Sequence, residues 1–187
     1  MHLLYAIVRI STDCTPQDHG KHPARMNKTD LLQLILEQLT HDLAVQFNAA
    51  IAAHEASTHE ENIPDNKYET LALEASYIAQ GQANRAQEIK RALETYKQLT
   101  LERFDDDSAI RLTALVTLAR DDAATRTFFI GPLEGGMKVV DHLTGTEIMV
   151  ITPASPLGRD LVGKAVGDLV RIGTGAGCKE FEIVSVC

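Results

Sequence analysis

The stretch SPLGRDLVGKAVGDLVRIGTGAGCKEFEIVSV (residues 155–186) contains one helix signal followed by two strand signals. Ser155 is a favourable N-cap residue and Pro156 suits the first helical position, so we expect a short helix that ends near Gly163. The segments DLVRIG and CKEFEIVSV then alternate apolar and polar residues, and the glycines of GTGAG suit a turn between them. Because no helix follows those glycines, the pattern indicates a hairpin turn and not a dinucleotide-binding loop.

The same alternation of apolar and polar residues extends towards the N-terminus as far as residue 110. Further strands are predicted in IRLTALVTLA (110–119), TRTFFIG (125–131), MKVVD (137–141) and TEIMVIT (146–152). The acidic stretch RFDDDSA (103–109) marks the start of this region. The second half of the chain is therefore predicted to be a small, highly curved antiparallel sheet with one helix packed on it.

Before this boundary the apolar residues fall three and four positions apart, as in amphipathic helices. One run extends from Asn27 to about His59, with Asn27 or Thr29 as N-cap, and a second run follows an acidic turn. The first stripe contains Leu32, Ile35 or Leu36, Leu39, Leu43, Phe47 and Ala50 or Ile51, and the second contains Leu71, Ala75, Ile78, Gln82, Ala86, Ile89, Leu93 and Tyr96. Two narrow stripes joined by a short turn predict an antiparallel coiled-coil hairpin. The alternative is half of a four-helix bundle that dimerises through these stripes.

The composition limits the class of protein. A hydrophobic content of 44% is that of an ordinary globular chain, and a net charge of −8 argues against a protein that coats nucleic acid. Three cysteines (Cys14, Cys178 and Cys187) without CxxC spacing indicate reduced thiols. The apolar run from Leu3 to Val8 is too short to span a bilayer and lacks the features of a signal peptide. Residues 1–25 are expected to be a disordered extension.

The turn between the two helical runs, HEENIPDNKYET (59–70), is the strongest functional candidate. Between Glu55 and Glu69, in and just before this turn, five acids (Glu55, Glu60, Glu61, Asp65 and Glu69) accompany a single lysine. Carboxylate oxygens suit Mg²⁺, which often takes only one or two protein ligands, so the turn fits a probe that completes a metal site in another protein. A solvated helix-connecting loop is the alternative. No nucleophile elbow, phosphate-binding loop or HExxH motif is present in the sequence.

Residues 155–186 resemble the C-terminal signature of the Gre transcript-cleavage factors of bacterial RNA polymerase. The shared features are Ser-Pro, an Arg three positions after that Pro, Gly-Lys, and Gly-Asp before a strand. The segment DNKYETLALEA (65–75) is similar to the tip sequence of that family, and the resemblance extends from Met26 to the C-terminus. It implies an α+β fold, with a coiled-coil hairpin over residues 26–104 and an FKBP-like antiparallel β domain with one short helix over residues 108–187.

The resemblance also implies a function. The β domain would dock at the rim of the secondary channel of RNA polymerase, and the hairpin would insert so that two tip acids reach the catalytic centre. There the acids would help to hold a second Mg²⁺ and an attacking water, so that a backtracked RNA 3′ end is hydrolysed. Such a factor binds no cofactor by itself and is not an enzyme alone. We expect a cytoplasmic monomer with no membrane partner, which meets the RNA 3′ end only indirectly.

The family roles can be assigned to individual residues of this chain. Asp65 matches the second tip acid, whereas the position of the first is taken by Asn62, with Glu61 adjacent as a substitute if Pro64 shifts the turn. Asp65 and Glu61 are thus the predicted catalytic and Mg²⁺-binding pair. The predicted supporting residues are Glu60, Asn62, Asn66 and Tyr68, and the predicted docking residues are Ser155, Pro156, Leu157 and Arg159. Ala154 stands where the family can have an acid.

Three functional hypotheses follow. The first is a cleavage-stimulating elongation factor, and the second is a regulator that occupies the same channel without supporting chemistry. The third is an FKBP-like prolyl isomerase, suggested by fold alone and disfavoured because aromatic residues are scarce. Arg85, Lys90, Arg91 and Lys97 on the second helical run either approach RNA or polymerase, or form a solvated face, since Glu88 and Glu94 alternate with them.

Overall fold

A computed structural model describes residues 27–58, 68–105, 107–120, 124–142, 144–173 and 175–187. The predicted extension over residues 1–25 lies outside them. The elements are α1 (Lys28–Thr58), α2 (Tyr68–Lys97), β1 (Leu115–Ala119), β2 (Thr125–Ile130), β3 (Lys138–Val140), β4 (Glu147–Ile151), α3 (Pro156–Leu161), β5 (Leu169–Ile172), a 3₁₀ turn (Gly175–Gly177) and β6 (Lys179–Val186). The predicted boundary at residues 104–108 falls within the irregular segment that joins α2 to β1, and it stays a prediction.

The two helices form a hairpin that is well packed only near its base. Asn27 caps α1, because its Oδ1 accepts a hydrogen bond of 3.0 Å from the amide of Thr29. Apart from Ala86, the buried residues of the described hairpin form one cluster with the sheet, and they are Leu31, Ile35, Leu39, Ile89, Ala92, Leu93 and Tyr96. The predicted helices are therefore confirmed, and their apolar stripes are confirmed in this basal half.

In the distal half of the hairpin, three residues of the predicted stripes are exposed to solvent. Phe47 is 59% exposed, Ile51 is 44% exposed and Ile78 is 57% exposed. A pair of helices buries only a narrow seam between them, and side chains beside that seam remain exposed to solvent unless a third element covers them. The sheet supplies that cover at the base, and no described element supplies it around Phe47.

The six strands form one sheet in the order β3-β4-β2-β1-β6-β5. Four of its five neighbouring pairs are antiparallel, as predicted. The exception is β2 with β4, which are parallel, with Thr127 opposite Ile148 and Ile130 opposite Ile151. This pair corrects the prediction of a wholly antiparallel sheet. The chain passes from β2 through the edge strand β3 before it returns as β4, and that crossover makes the neighbouring strands β2 and β4 run in the same direction.

Successive residues of the strands pack into two different hydrophobic clusters, one on each face of the sheet. Leu115, Phe129 and Val150 belong to the cluster that contains the base of the hairpin. Their sequence neighbours Val116 and Phe128 face the opposite side, where they pack with Leu161 of α3 and other strand residues. The sheet thus lies between the hairpin base and α3, because successive side chains of a strand point to opposite faces.

Lys28 attaches the first turn of α1 to the segment that joins α2 to β1. Its Nζ donates to the backbone carbonyl oxygens of Glu102 and Thr113, and it lies 4.5 Å from the centroid of the Phe104 ring. Partial burial lowers the pKa of Lys28 from its usual value. These contacts hold the start of the hairpin against the sheet domain.

Candidate functional site

The short helix α3 presents the predicted docking residues, and Ser155 fixes its start. The Ser155 Oγ accepts a hydrogen bond of 3.0 Å from the amide of Gly158 and donates one of 2.7 Å to the carbonyl oxygen of Thr152. Pro156 occupies the first helical position, as predicted. A Cβ on Gly158 would lie 2.0 Å from the Thr152 oxygen, so the turn requires glycine there. Every component of this capped turn is therefore supplied by the local sequence.

The other two docking candidates lie on either side of this turn. Arg159 is exposed, and its Nε donates a hydrogen bond of 2.9 Å to the carbonyl oxygen of Ala154, which holds the guanidinium beside the turn. Leu157 is partly buried and lines a cleft of about 560 Å³ together with Phe128, Met149 and Ile172. The structure thus brings Ser155, Pro156, Leu157 and Arg159 together at one edge of the sheet domain. Their role in docking stays a prediction.

The predicted tip residues are not described by the structure. Glu60, Glu61, Asn62, Asp65 and Asn66 fall within residues 59–67, which lie outside the described part of the chain. Tyr68 is the first residue of α2, although its side chain is not described. In the chain, this segment follows the end of α1 at Thr58 and precedes the start of α2 at Tyr68.

A junction between α2 and the loop after β2 joins the hairpin to the sheet. The buried Tyr96 donates a hydrogen bond of 2.8 Å from its hydroxyl to the carbonyl oxygen of Leu133. Nearer the tip, the Arg85 guanidinium binds both carboxylate oxygens of Glu134, at 3.2 and 2.7 Å. This hydrogen-bonded pairing raises the pKa of Arg85, because it favours the charged form.

Comparison with known proteins agrees with this architecture. Residues 105–187 match the family described as transcription elongation factor, GreA/GreB, C-terminal. Transcription elongation factor GreA of Xanthomonas campestris pv. campestris is 30% identical over 157 residues, which are 82% of this chain and 91% of that protein. The chain belongs to the GreA/GreB family of transcription elongation factors. GreA of Rickettsia conorii is 27% identical over 168 residues, 89% of this chain and 94% of that protein.

Solved structures of GreA/GreB-like proteins also match. The GreA factor homolog 1 (Gfh1) protein of Thermus thermophilus has 20% sequence identity and a TM-score of 0.34, over 84% of this chain and 93% of that one. A GreA/GreB elongation factor from Nitrosomonas europaea has 16% identity and a TM-score of 0.33, over 52% of this chain and 77% of that one. The elements of this chain themselves confirm the predicted α+β class, a helical hairpin followed by a β domain with one short helix.

Sequence analysis of this GreA/GreB family member missed the junction. For Arg85, one of four basic residues on α2, the sequence allows either a solvated face or a contact with RNA or polymerase. The structure instead pairs it with Glu134 at 2.7 Å and with Glu88 at 3.1 Å. Glu134 lies in the turn GPLEGG and gave no signal of its own. Lys97 pairs with Glu94 at 3.1 Å, and Lys90 and Arg91 are exposed. A bulky Tyr96 near the end of a helical stripe was the only available hint.

The described residues carry neither a metal-binding cluster nor a membrane-spanning helix. Within this part of the chain, no group of three or more His, Cys, Asp or Glu side chains is placed to hold a metal ion. None of the helices described there is long and apolar enough to cross a membrane. Neither Cys178 nor Cys187 forms a disulfide.

Proposed function

We propose that this protein is an elongation factor that binds RNA polymerase at its secondary channel and stimulates cleavage of backtracked RNA. It acts as an accessory to the polymerase in the cytoplasm and has no active site of its own. The proposal rests on membership of the GreA/GreB family and on the form of the hairpin.

The observation that carries the proposal is the contrast between the two halves of the hairpin. The 31 residues of α1 give a helix of about 46 Å at 1.5 Å per residue. Its buried residues lie in the basal part, up to Leu39, whereas Val45, Phe47 and Ile51 are exposed. A slender helical pair that is anchored at one end and exposed at the other suits insertion into a narrow channel.

Docking is assigned to the edge of the sheet domain that carries α3. Pro156 and Arg159 are exposed on a turn that Ser155 makes rigid, and Leu157 adds an apolar surface beside the cleft. An exposed arginine next to a small apolar surface is a combination that protein interfaces favour. This edge would hold the factor at the channel rim while the hairpin enters.

The chemistry is assigned to Asp65 and Glu61 at the tip. Carboxylates are the ligand type that Mg²⁺ prefers, so these two residues would share a metal ion with the polymerase. When bound there, the ion would activate water and neutralise charge on the transferring phosphoryl group. The tip supplies the two carboxylates, and Glu60, Asn62, Asn66 and Tyr68 would support the turn that carries them.

A specific sequence feature favours a second candidate. Asn62 stands three residues before Asp65, where the family's first tip acid is expected, and a neutral amide is a weaker ligand for Mg²⁺ than a carboxylate. With only one effective acid, the protein would occupy the channel without supporting cleavage. It would then compete with authentic cleavage factors.

The deciding experiment measures RNA cleavage in stalled, backtracked elongation complexes. The native protein is compared with Asp65→Asn and with Asp65→Asn/Glu61→Gln, which remove charge while preserving size. Glu74→Gln is the matched control, since Glu74 is an exposed acid of α2 that has no proposed role. Loss of at least about a hundredfold in cleavage rate in the double variant, with polymerase affinity preserved, is expected if these carboxylates act at the reacting centre.

Two other outcomes are informative. Polymerase binding without any cleavage by the native protein, together with inhibition of an authentic cleavage factor, would establish the regulator. Absence of polymerase binding would overturn both candidates.

A further inference from the structure

We infer that Arg85–Glu134 and Tyr96–Leu133 form a two-point brace that fixes the direction of the hairpin relative to the sheet domain. The four residues are positioning residues, because they act through the hairpin and do not touch substrate. The effect on RNA cleavage rests on the function proposed above, whereas the effect on the direction of the hairpin does not.

The first point of the brace is the buried contact at Tyr96. Its ring lies in the core shared by the helices and the sheet, and its hydroxyl bonds the Leu133 carbonyl oxygen. A Cβ on Gly131 would lie 2.2 Å from that hydroxyl oxygen. The absence of a side chain at Gly131 therefore lets α2 approach the end of β2 closely. This contact acts as the fixed end of the brace.

The second point lies nearer the tip. Arg85 precedes Tyr96 by three turns of α2, a distance of about 16 Å along the helix axis. Its guanidinium makes a bidentate pair with Glu134, whose side chain is only 14% exposed. Bidentate arginine–carboxylate pairs fix orientation as well as distance. Two contacts separated along one helix resist rotation, which a single contact does not.

The loop that carries Leu133 and Glu134 is itself fixed to the sheet. The amide of Gly136 donates to the carbonyl oxygen of Val150 at 2.8 Å, and the amide of Met137 donates to that of Glu134 at 3.2 Å. Glu134 has a φ of 56°, a backbone conformation that residues other than glycine seldom adopt. The backbone that carries the Glu134 side chain is thus fixed to the sheet.

The length of the hairpin amplifies small rotations at this junction. Tyr68, the first residue of α2, lies about 42 Å along the helix from Tyr96 at 1.5 Å per residue. A rotation of about 10° around Tyr96 would therefore displace that end by roughly 7 Å. Misplacement of reacting groups by about 1 Å can reduce a rate a hundredfold. Control of the hairpin angle near its base thus decides where the tip acids arrive.

The test compares Arg85→Ala, Glu134→Ala and the double variant with the native protein. Arg91→Ala is the matched control, because it removes an exposed arginine from the same helix. Spin labels at N48C and E182C, in a background with the three cysteines replaced by serine, report the distance from α1 to β6 by pulsed electron spin resonance. No polymerase is needed for this measurement. Both single variants are expected to broaden the distance distribution, and the control is expected to leave it unchanged.

The double variant shows whether Arg85 and Glu134 act through their shared contact or independently of each other. If Arg85 acts through Glu134, the double variant behaves like either single one, since the same contact is lost in all three. In the RNA-cleavage assay we then expect a loss of about tenfold in the maximal rate, with the half-saturating concentration changed less than about twofold. A native distance distribution in all three variants would overturn the brace. A broadened distribution with normal cleavage would leave the brace in place and contradict its functional role.

Discussion

The hydroxyl of Tyr96 in α2 donates a hydrogen bond of 2.8 Å to the carbonyl oxygen of Leu133, in the loop after β2. The rest of the Tyr96 side chain is buried among apolar residues from the helices and the sheet. A single side chain therefore contributes both apolar packing and a satisfied polar contact at the point where the hairpin meets the sheet. Four predictions concern this junction and the capped turn of α3.

Tyr96→Phe is expected to destabilise the protein by about 1 to 3 kcal/mol, because the Leu133 carbonyl oxygen loses its donor while the ring packing is preserved. Urea unfolding measures the change. Tyr77→Phe is the control, since Tyr77 is 70% exposed and its replacement should alter the free energy of unfolding by less than about 0.5 kcal/mol. Equal effects of the two substitutions would contradict the importance of the Tyr96 hydrogen bond.

The stability contributed by Tyr96 should depend on pH above 10. Burial raises the pKa of Tyr96 well above its usual value of 10.0, so the unfolded chain loses the hydroxyl proton at a pH where the folded protein keeps it. Stability from this group is complete below pH 10 and falls as the pH rises further, by at most about 1.4 kcal/mol per unit. The difference in stability between the native protein and Tyr96→Phe should therefore narrow from pH 9 to pH 11. A constant difference would contradict the burial of the phenol.

Gly131→Ala should be destabilising by about 1 to 3 kcal/mol, because the new methyl group would meet the Tyr96 hydroxyl oxygen at 2.2 Å and Val150 Cγ1 at 2.8 Å. Combination with Tyr96→Phe removes one of these two clashes, so the double variant should lose less than the sum of the single losses. Gly81→Ala is the matched control. A Cβ there meets nothing within 4 Å, and the change should stabilise α2 by about 0.5 to 1 kcal/mol.

Ser155→Ala should cost about 1 kcal/mol, because α3 loses the side-chain acceptor for the Gly158 amide. In this variant the amide of Gly158 is expected to exchange its hydrogen faster than in the native protein, by a larger factor than the amides of β2. Ser155→Thr keeps a hydroxyl that can both accept and donate, so it is the conservative control and should retain most of the stability. Unchanged exchange at Gly158 in the alanine variant would show that Ser155 does not cap the helix.

The elements themselves could be predicted from the sequence to a large extent. Both long helices, the Ser155 cap and the glycine-rich turn between β5 and β6 follow from signals within a few residues of each other. The sequence does not distinguish Leu39, which is buried, from Phe47, which is exposed, because both residues fit one helical stripe. The difference depends on how far the sheet extends along the hairpin.

The predicted docking residues and the junction differ in how far apart their members lie in the sequence. Ser155, Pro156 and Arg159 are neighbours in sequence, and the local turn brings them together. Arg85 and Glu134 are 49 residues apart, and neither has a neighbour that reveals the pairing. The assignment of Asp65 and Glu61 as the tip acids is a prediction from sequence alone, by resemblance to the family.

The sequence by itself determined which segments form helices and strands, which residue caps α3 and which family the chain resembles, because steric preference, capping and residue spacing are local properties. Only the tertiary structure decided that β2 and β4 run parallel, that the sheet covers just the base of the hairpin, and that Arg85 reaches Glu134. These features require segments distant in the chain to be packed together, and that packing depends on the shape and burial of the whole core.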